Sequence, residues 1–83
     1  MKPYLDLDQL TIKRIFGFVE KCEELELENV CFIYYPKLKT EVKFYMVKYA
    51  DHWELTVIQN WAKKRDIYII KDKSLTFDYS KHD

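Results

Sequence analysis

The sequence predicts an α+β fold of two layers, in which a four-stranded, mainly antiparallel sheet carries two helices on one face. Three observations predict this fold: an amphipathic stretch near the N-terminus, two pairs of strand-like segments, and a second amphipathic stretch between those pairs. No linker rich in Pro, Gly or Ser divides the 83 residues, so the chain is expected to form one domain over 1–83.

The first helix is predicted from about Leu7 to Glu26. Its apolar side chains fall within one half of a helical wheel, and its charged side chains occupy the other half. Asp6 or Asp8 can accept the free backbone N–H groups of the first turn, where a carboxylate also favours the positive end of the helix dipole. The segment therefore combines a start signal with one face suited to burial.

The first strand pair is predicted at 30–35 and 41–49, with a Pro-Lys-Leu-Lys-Thr loop between the two strands. The first segment is rich in β-branched and aromatic residues, and the second alternates apolar with polar or aromatic side chains. A change of one residue in the loop moves one strand's side chains to the opposite face. Either Tyr34 or Tyr35 is therefore expected on the same face as Tyr45.

The second amphipathic stretch, 51–65, is compatible with both a helix and a strand. Trp53, Leu55 and Val57 alternate as in a strand, yet with the later apolar residues they also form one arc of a helical wheel. An aspartate and a glutamate at its start have the spacing of a capping box, and three successive basic residues complement the negative end of a helix dipole. We therefore predict a helix here.

The second strand pair is predicted at 67–70 and 75–79, around an Asp-Lys-Ser turn, with the last four residues frayed. The predicted order is thus α-β-β-α-β-β. This is the order obtained when the first strand of a ferredoxin-like fold is moved to its end, so a circularly permuted ferredoxin-like arrangement is the expected architecture.

Composition narrows the classes of function. The 14 basic and 14 acidic residues cancel, and a single glycine excludes the glycine-rich loops that cradle nucleotide phosphates. We expect a reduced, cytoplasmic protein, because the chain has two cysteines and begins without a secretory signal pattern. No apolar run approaches the length of about 18 residues that a membrane-spanning helix needs, so no membrane partner is expected.

Few side chains are suited to catalysis or metal binding. The cysteines and histidines are Cys22, Cys31, His52 and His82, and they lack the close pairs that structural zinc sites use. Asp51 could orient the neighbouring His52, but this pair fits better as the cap and first turn of the predicted second helix. We therefore predict no enzyme activity, no cofactor and no metal.

The face of the sheet turned away from the helices is the candidate binding surface. If Val42 and Phe44 point toward the helices, the side chains between and beyond them form an exposed surface of tyrosines and lysine. Tyrosine also has a high strand propensity, so its presence there is compatible with no binding role. The predicted partner-binding residues are Tyr35, Lys43, Tyr45, Tyr49 and Tyr68.

The sequence thus favours a non-catalytic module that binds protein, either itself or a larger target, such as a small inhibitor, adaptor or accessory protein. Twelve lysines against two arginines suggest AT-rich coding, as in some phages and mobile elements. The alternative is a module that binds single-stranded RNA or DNA, with bases stacked on the same tyrosines and phosphates held by the lysines. The zero net charge makes nucleic acid the less favoured partner.

Overall fold

The computed structural model describes residues 2–37 and 40–82, and within them one helix lies against one antiparallel sheet. The elements are α1 (Gln9–Glu24), β1 (Asn29–Lys37), β2 (Thr40–Lys48), β3 (Trp53–Gln59), a short 3-10 helix (Asn60–Ala62), β4 (Lys64–Lys71) and β5 (Ser74–His82). The five strands are hydrogen-bonded in the order β1-β2-β3-β4-β5, so each strand pairs with its neighbour in sequence.

The predicted fold class is wrong in its element count. The order is α-β-β-β-β-β with a five-stranded sheet, not a four-stranded sheet with two helices, and no circularly permuted ferredoxin-like order remains. The predicted helix at 51–65 is instead the central strand β3 followed by the 3-10 helix. Burial alternates along β3, because Trp53, Leu55 and Val57 point into the core and the residues between them point away.

The first helix is confirmed. The Asp8 carboxylate caps it by accepting a hydrogen bond of 2.7 Å from the Thr11 backbone N–H, and this bond lowers the pKa of Asp8. Ile15, Val19 and Cys22 form its buried face. The helix is 16 residues long, and no helix in the described ranges is long and apolar enough to cross a membrane.

Both predicted strand pairs exist, and the first one has a defined register. Cys31 lies opposite Tyr45, and Tyr34 lies opposite Val42. Tyr34 therefore points toward the helix, with its ring 6.3 Å from the Phe44 ring in an edge-on contact, so Tyr35 is the residue that shares a face with Tyr45.

The core lies between α1 and the face of the sheet that α1 contacts, here called the helix face. The rings of Phe18, Phe32 and Phe44 stack in series from the helix into the sheet, with centroids 4.3 Å and 4.9 Å apart. Such ring pairs stabilise a core by about 0.5 to 1.5 kcal/mol beyond their buried area. Glu23 of the helix accepts a hydrogen bond of 3.2 Å from the Trp53 indole N–H.

The segment before the helix is held to β4 by Asp66, which is only 1% exposed. Its carboxylate accepts hydrogen bonds from the backbone N–H groups of Tyr4 (2.8 Å) and Leu5 (2.9 Å) and from the Ser80 hydroxyl (2.5 Å). Leu5 and Leu7 then pack against the core. The N-terminal segment thereby covers part of the helix face together with α1.

Candidate functional site

The opposite face of the sheet, here called the open face, has no helix packed on it in the described part of the chain. Its middle is a row of residues that lie side by side, one on each strand. This central row is Cys31, Tyr45, Thr56, Ile67 and Tyr79. Thr56 is the middle residue of β3, the middle strand, so it marks the centre of the open face.

Two further rows flank the central row, and they differ in charge. The cationic row is Ile33, Lys43, Ile58, Arg65 and Lys81. The Glu54 row, on the other side, is Asn29, Val47, Glu54, Ile69 and Thr76. The three rows therefore all contain apolar residues, with three cations in one flanking row and one carboxylate in the other. Glu41 lies beyond the cationic row, where its carboxylate accepts the Tyr35 hydrogen bond.

Large apolar side chains of the open face are exposed. Ile33 is 49% exposed, Tyr45 41% and Tyr79 40%, whereas Ile67 between the tyrosines is 4% exposed. Single exposed apolar residues are ordinary on protein surfaces, but contiguous apolar patches beyond a few hundred Å² typically mark interaction sites. The open face spans five strands and is therefore the candidate functional site.

The structure brings three of the five predicted site residues to the open face. Tyr35, Lys43 and Tyr45 lie on β1 and β2 with their side chains on this side of the sheet. The Tyr35 hydroxyl donates a hydrogen bond of 3.3 Å to Glu41. Tyr49 lies beyond the end of β2, outside the three rows, where its ring stacks on His52 at 5.1 Å.

Tyr68 is not on the open face, so its predicted placement is wrong. It is 6% exposed on the helix face, and its ring meets Phe77 edge-on at 5.6 Å. Burial, reinforced by the negative charges of Asp66 and Asp6, raises the pKa of Tyr68 to about 12. Isoleucines occur on both faces of β4, so an alternating pattern does not reveal which face is covered.

Several residues of the open face were missed by the sequence analysis. Ile58 falls within the predicted helix and Lys81 within the predicted frayed end. The prediction of Tyr68 on the open face places its neighbours Ile67 and Ile69 on the opposite side, toward the core. The alternation of Trp53, Leu55 and Val57 could have identified Ile58. If the segment is interpreted as a strand, this alternation places Ile58 on the opposite side of the sheet.

A second cluster lies at the end of the sheet near the β4–β5 turn, beside a groove of about 580 Å³. His52 Nδ1 is 2.7 Å from a carboxylate oxygen of Asp51, and the Lys71 ammonium donates to the other oxygen at 3.3 Å. These two hydrogen bonds, from His52 and then Lys71, lower the pKa of Asp51. The predicted role of Asp51 as a helix cap is wrong, because it orients His52 instead.

The Asp51–His52 pair lacks the nucleophile that acyl-transfer catalysis would require. Ser, Thr and Cys are absent from the described side chains that line the groove. Cys22 is buried under the helix, and burial raises the pKa of its thiol, whereas Cys31 is exposed on the open face. The two cysteines thus lie on opposite sides of the sheet.

Comparison with protein-family models, curated proteins and solved structures finds no match to this chain. A function is therefore inferred from its own surface. The fold itself leaves the open face unexplained, because a sheet normally buries an apolar face against another element.

Proposed function

We propose that the protein is a non-catalytic module that binds a protein surface through the open face. The observation that supports this proposal is the pair of exposed tyrosines, Tyr45 and Tyr79, that lie in the central row on the side of the sheet away from the helix, with the buried Ile67 in the same row. Removing apolar surface from water is favourable by about 25 cal/mol per Å². A complex in which a partner covers this face is therefore stabilised by burial that the folded chain alone does not achieve.

The residue types suit a protein interface. Tyr45 and Tyr79 are rigid, amphipathic anchors, because a tyrosine loses few torsional degrees of freedom when its ring is buried. Lys43 in the cationic row gives the surface a charged end that fixes the orientation of a partner. A small inhibitor, adaptor or accessory protein would act in this way. We place it in the cytoplasm, where its two free cysteines stay reduced.

Site-specific photo-crosslinking tests the proposal. A benzophenone amino acid at position 45 replaces one aromatic side chain by another in the centre of the open face. The matched control carries it at Leu10, which is 59% exposed on the helix. Crosslinking is done in cells that produce the protein, and adducts are identified by mass.

Position 45 is expected to give discrete protein adducts that are absent from position 10. The same adducts should disappear when Tyr79→Lys is added, because that change puts a charge into the apolar patch. Equal adduct patterns from positions 45 and 10 would contradict a binding role for the open face.

Single-stranded nucleic acid is the second candidate, and the cationic row is the observation that favours it. Lys43, Arg65 and Lys81 lie beside a row that contains two tyrosines, and Lys81 lies 5.7 Å from the Tyr79 ring centre. Stacked bases and paired phosphates are the usual contacts of such surfaces. Binding of a labelled oligothymidine that weakens steeply with salt would favour this candidate over a protein partner.

A further inference from the structure

We propose that the occupant of the open face is a second copy of the same chain, packed face to face as a symmetric dimer. This inference rests on the proposed function, because it names the partner of the same surface. It is drawn from the size of the open face and from the arrangement of charge on its three rows.

The size of the open face meets the lower limit for a specific interface. Five strands at a spacing of about 4.8 Å are about 24 Å wide, and three rows spaced by two residues extend about 20 Å along the strands. Each copy therefore offers roughly 500 Å² of flat area, and protruding side chains add to it. Two copies together reach the roughly 1,000 Å² that specific interfaces need.

Of the two symmetries that align the strands of the two copies face to face, one is disfavoured by charge. A twofold axis parallel to the strands places β2 of one copy over β4 of the other. Lys43 would then lie over Arg65, and Glu54 would lie over Glu54. Like charges placed together across an interface are unfavourable, so this arrangement is disfavoured.

The other symmetry brings opposite charges together. A twofold axis along the central row places each strand over its counterpart and the cationic row over the Glu54 row. Glu54 then lies over Ile58, whose neighbours across the strands are Lys43 and Arg65. The usual rotation of about 30° between aligned sheets directs Glu54 toward one of these two cations. Tyr45 and Tyr79, the exposed tyrosines of the central row, each meet their own counterpart in the second copy.

This symmetry also makes a geometric prediction about Cys31. Cys31 belongs to the central row, on the proposed axis, so it lies opposite Cys31 of the second copy. Stacked sheets lie about 10 Å apart, and both thiols point into the interface. A short bismaleimide can therefore join them, whereas a twofold axis parallel to the strands would place Cys31 over β5.

The test combines solution mass with this crosslink. Light scattering of the wild-type protein should give about 20 kDa, twice the chain mass of 10.2 kDa. A short bismaleimide should give a covalent dimer that Cys31→Ser abolishes. Glu54→Lys should raise the dissociation constant at least tenfold. One of the two double variants, which add Lys43→Glu or Arg65→Glu to Glu54→Lys, should recover much of that loss.

The matched control is Glu24→Lys, which reverses a charge on the exposed side of the helix and should leave the dissociation constant unchanged. Thermal unfolding of each variant shows whether it is folded. A wild-type mass of 10 kDa up to about 1 mM would overturn the dimer. A dimer that resists Glu54→Lys and forms no Cys31 crosslink would also overturn it, because its interface would lie elsewhere.

Failure of the dimer is distinguishable from failure of the proposed function. If the second copy is not the partner but the open face binds protein, a benzophenone at position 45 gives adducts of other masses while the purified chain stays monomeric. If the open face binds nothing, position 45 gives no adducts beyond those of position 10.

Discussion

At the scale of single residues, Asp66 shows how one buried carboxylate organises a terminus. It is 1% exposed within a strand rich in isoleucine. Its carboxylate accepts two hydrogen bonds from the N-terminal segment and one from β5. An ionised carboxylate is tolerated in such a place because its oxygens are hydrogen-bonded. The sequence does not reveal this role, because the donors include backbone N–H groups of an irregular segment.

Replacing Asp66 with alanine should lower the free energy of unfolding by about 2 to 4 kcal/mol, because it removes three hydrogen bonds to a charged group and leaves donors unpaired. Asp66→Asn keeps one acceptor oxygen and should cost less. Denaturant unfolding measures both changes.

The matched control is Asp78→Ala, an exposed aspartate on β5, which should change stability by less than about 0.5 kcal/mol. Hydrogen exchange of the Tyr4 and Leu5 amides should accelerate in Asp66→Ala and not in the control. Unchanged exchange at these two amides would show that Asp66 does not hold the N-terminal segment.

Residue-level inference from sequence succeeds where the interaction is local. The Asp8 cap was predictable because its partner Thr11 is three residues away. Tyr45 was placed on the open face because the pattern of β2 has one clearly apolar side. Tyr68 was misplaced because both sides of β4 carry isoleucine, and only the tertiary structure decides which side is covered.

Among the secondary-structure elements, the segment 51–65 forms a strand because of tertiary packing, although its local sequence favours a helix. The capping-box spacing and the basic residues at the end of the segment each favour a helix by typically about 1 kcal/mol. As a strand, the same segment buries Trp53, Leu55 and Val57 and hydrogen-bonds to β2 and β4 on its two sides. The period-two pattern was therefore the decisive signal.

The turns of this glycine-poor chain place ordinary residues in the left-handed region of the backbone. Glu26, Lys63, Asp72 and Lys73 all have positive φ. Asp72 and Lys73 form the two-residue turn between β4 and β5, where positive φ at both positions is the geometry that favours Asn-Gly or Asp-Gly. Each left-handed residue other than glycine carries a conformational cost of about 1 to 2 kcal/mol.

Lys73→Gly should therefore raise the free energy of unfolding, by up to about 1 kcal/mol, because relief of the left-handed strain exceeds the added entropy of the unfolded chain. Thr76→Gly, in the regular part of β5, is the comparison and should lower stability by about 0.5 to 1 kcal/mol. Denaturant midpoints measure both changes. A loss of stability in Lys73→Gly would contradict the assigned turn.

For the whole molecule, the sequence predicts correctly that helical structure covers one face of a sheet. The predicted numbers of helices and strands are wrong. A single helix about 10 Å wide cannot cover five strands about 24 Å wide, so the N-terminal segment with Leu5 and Leu7 completes the helix face. No second layer remains in the described chain for the open face. Tyr45 therefore lies on an exposed face of the sheet, as expected, although the second predicted helix does not form.

The location of the candidate site was thus partly predictable, and its composition was not. The strand pattern of β2 identifies Lys43 and Tyr45, whereas Ile58, Ile67 and Ile69 become visible only when β3 and β4 are placed in the sheet. Ile58 and Ile69 are half-buried and make the open face more apolar than the predicted tyrosine surface, whereas Ile67 is buried. This composition favours a protein partner over nucleic acid, since nucleic-acid interfaces are more polar and more positive than protein interfaces.

The rate at which Cys31 is alkylated shows whether the open face is covered by a partner. Cys31 is an exposed thiol in the central row, and Cys22 is buried and should not compete. Inside producing cells, alkylation of Cys31 should be at least tenfold slower than in the dilute purified protein. A cysteine at position 10 in a Cys31→Ser background should react equally fast in both. Equal rates for Cys31 in cells and in dilute solution would contradict the claim that the open face binds a partner.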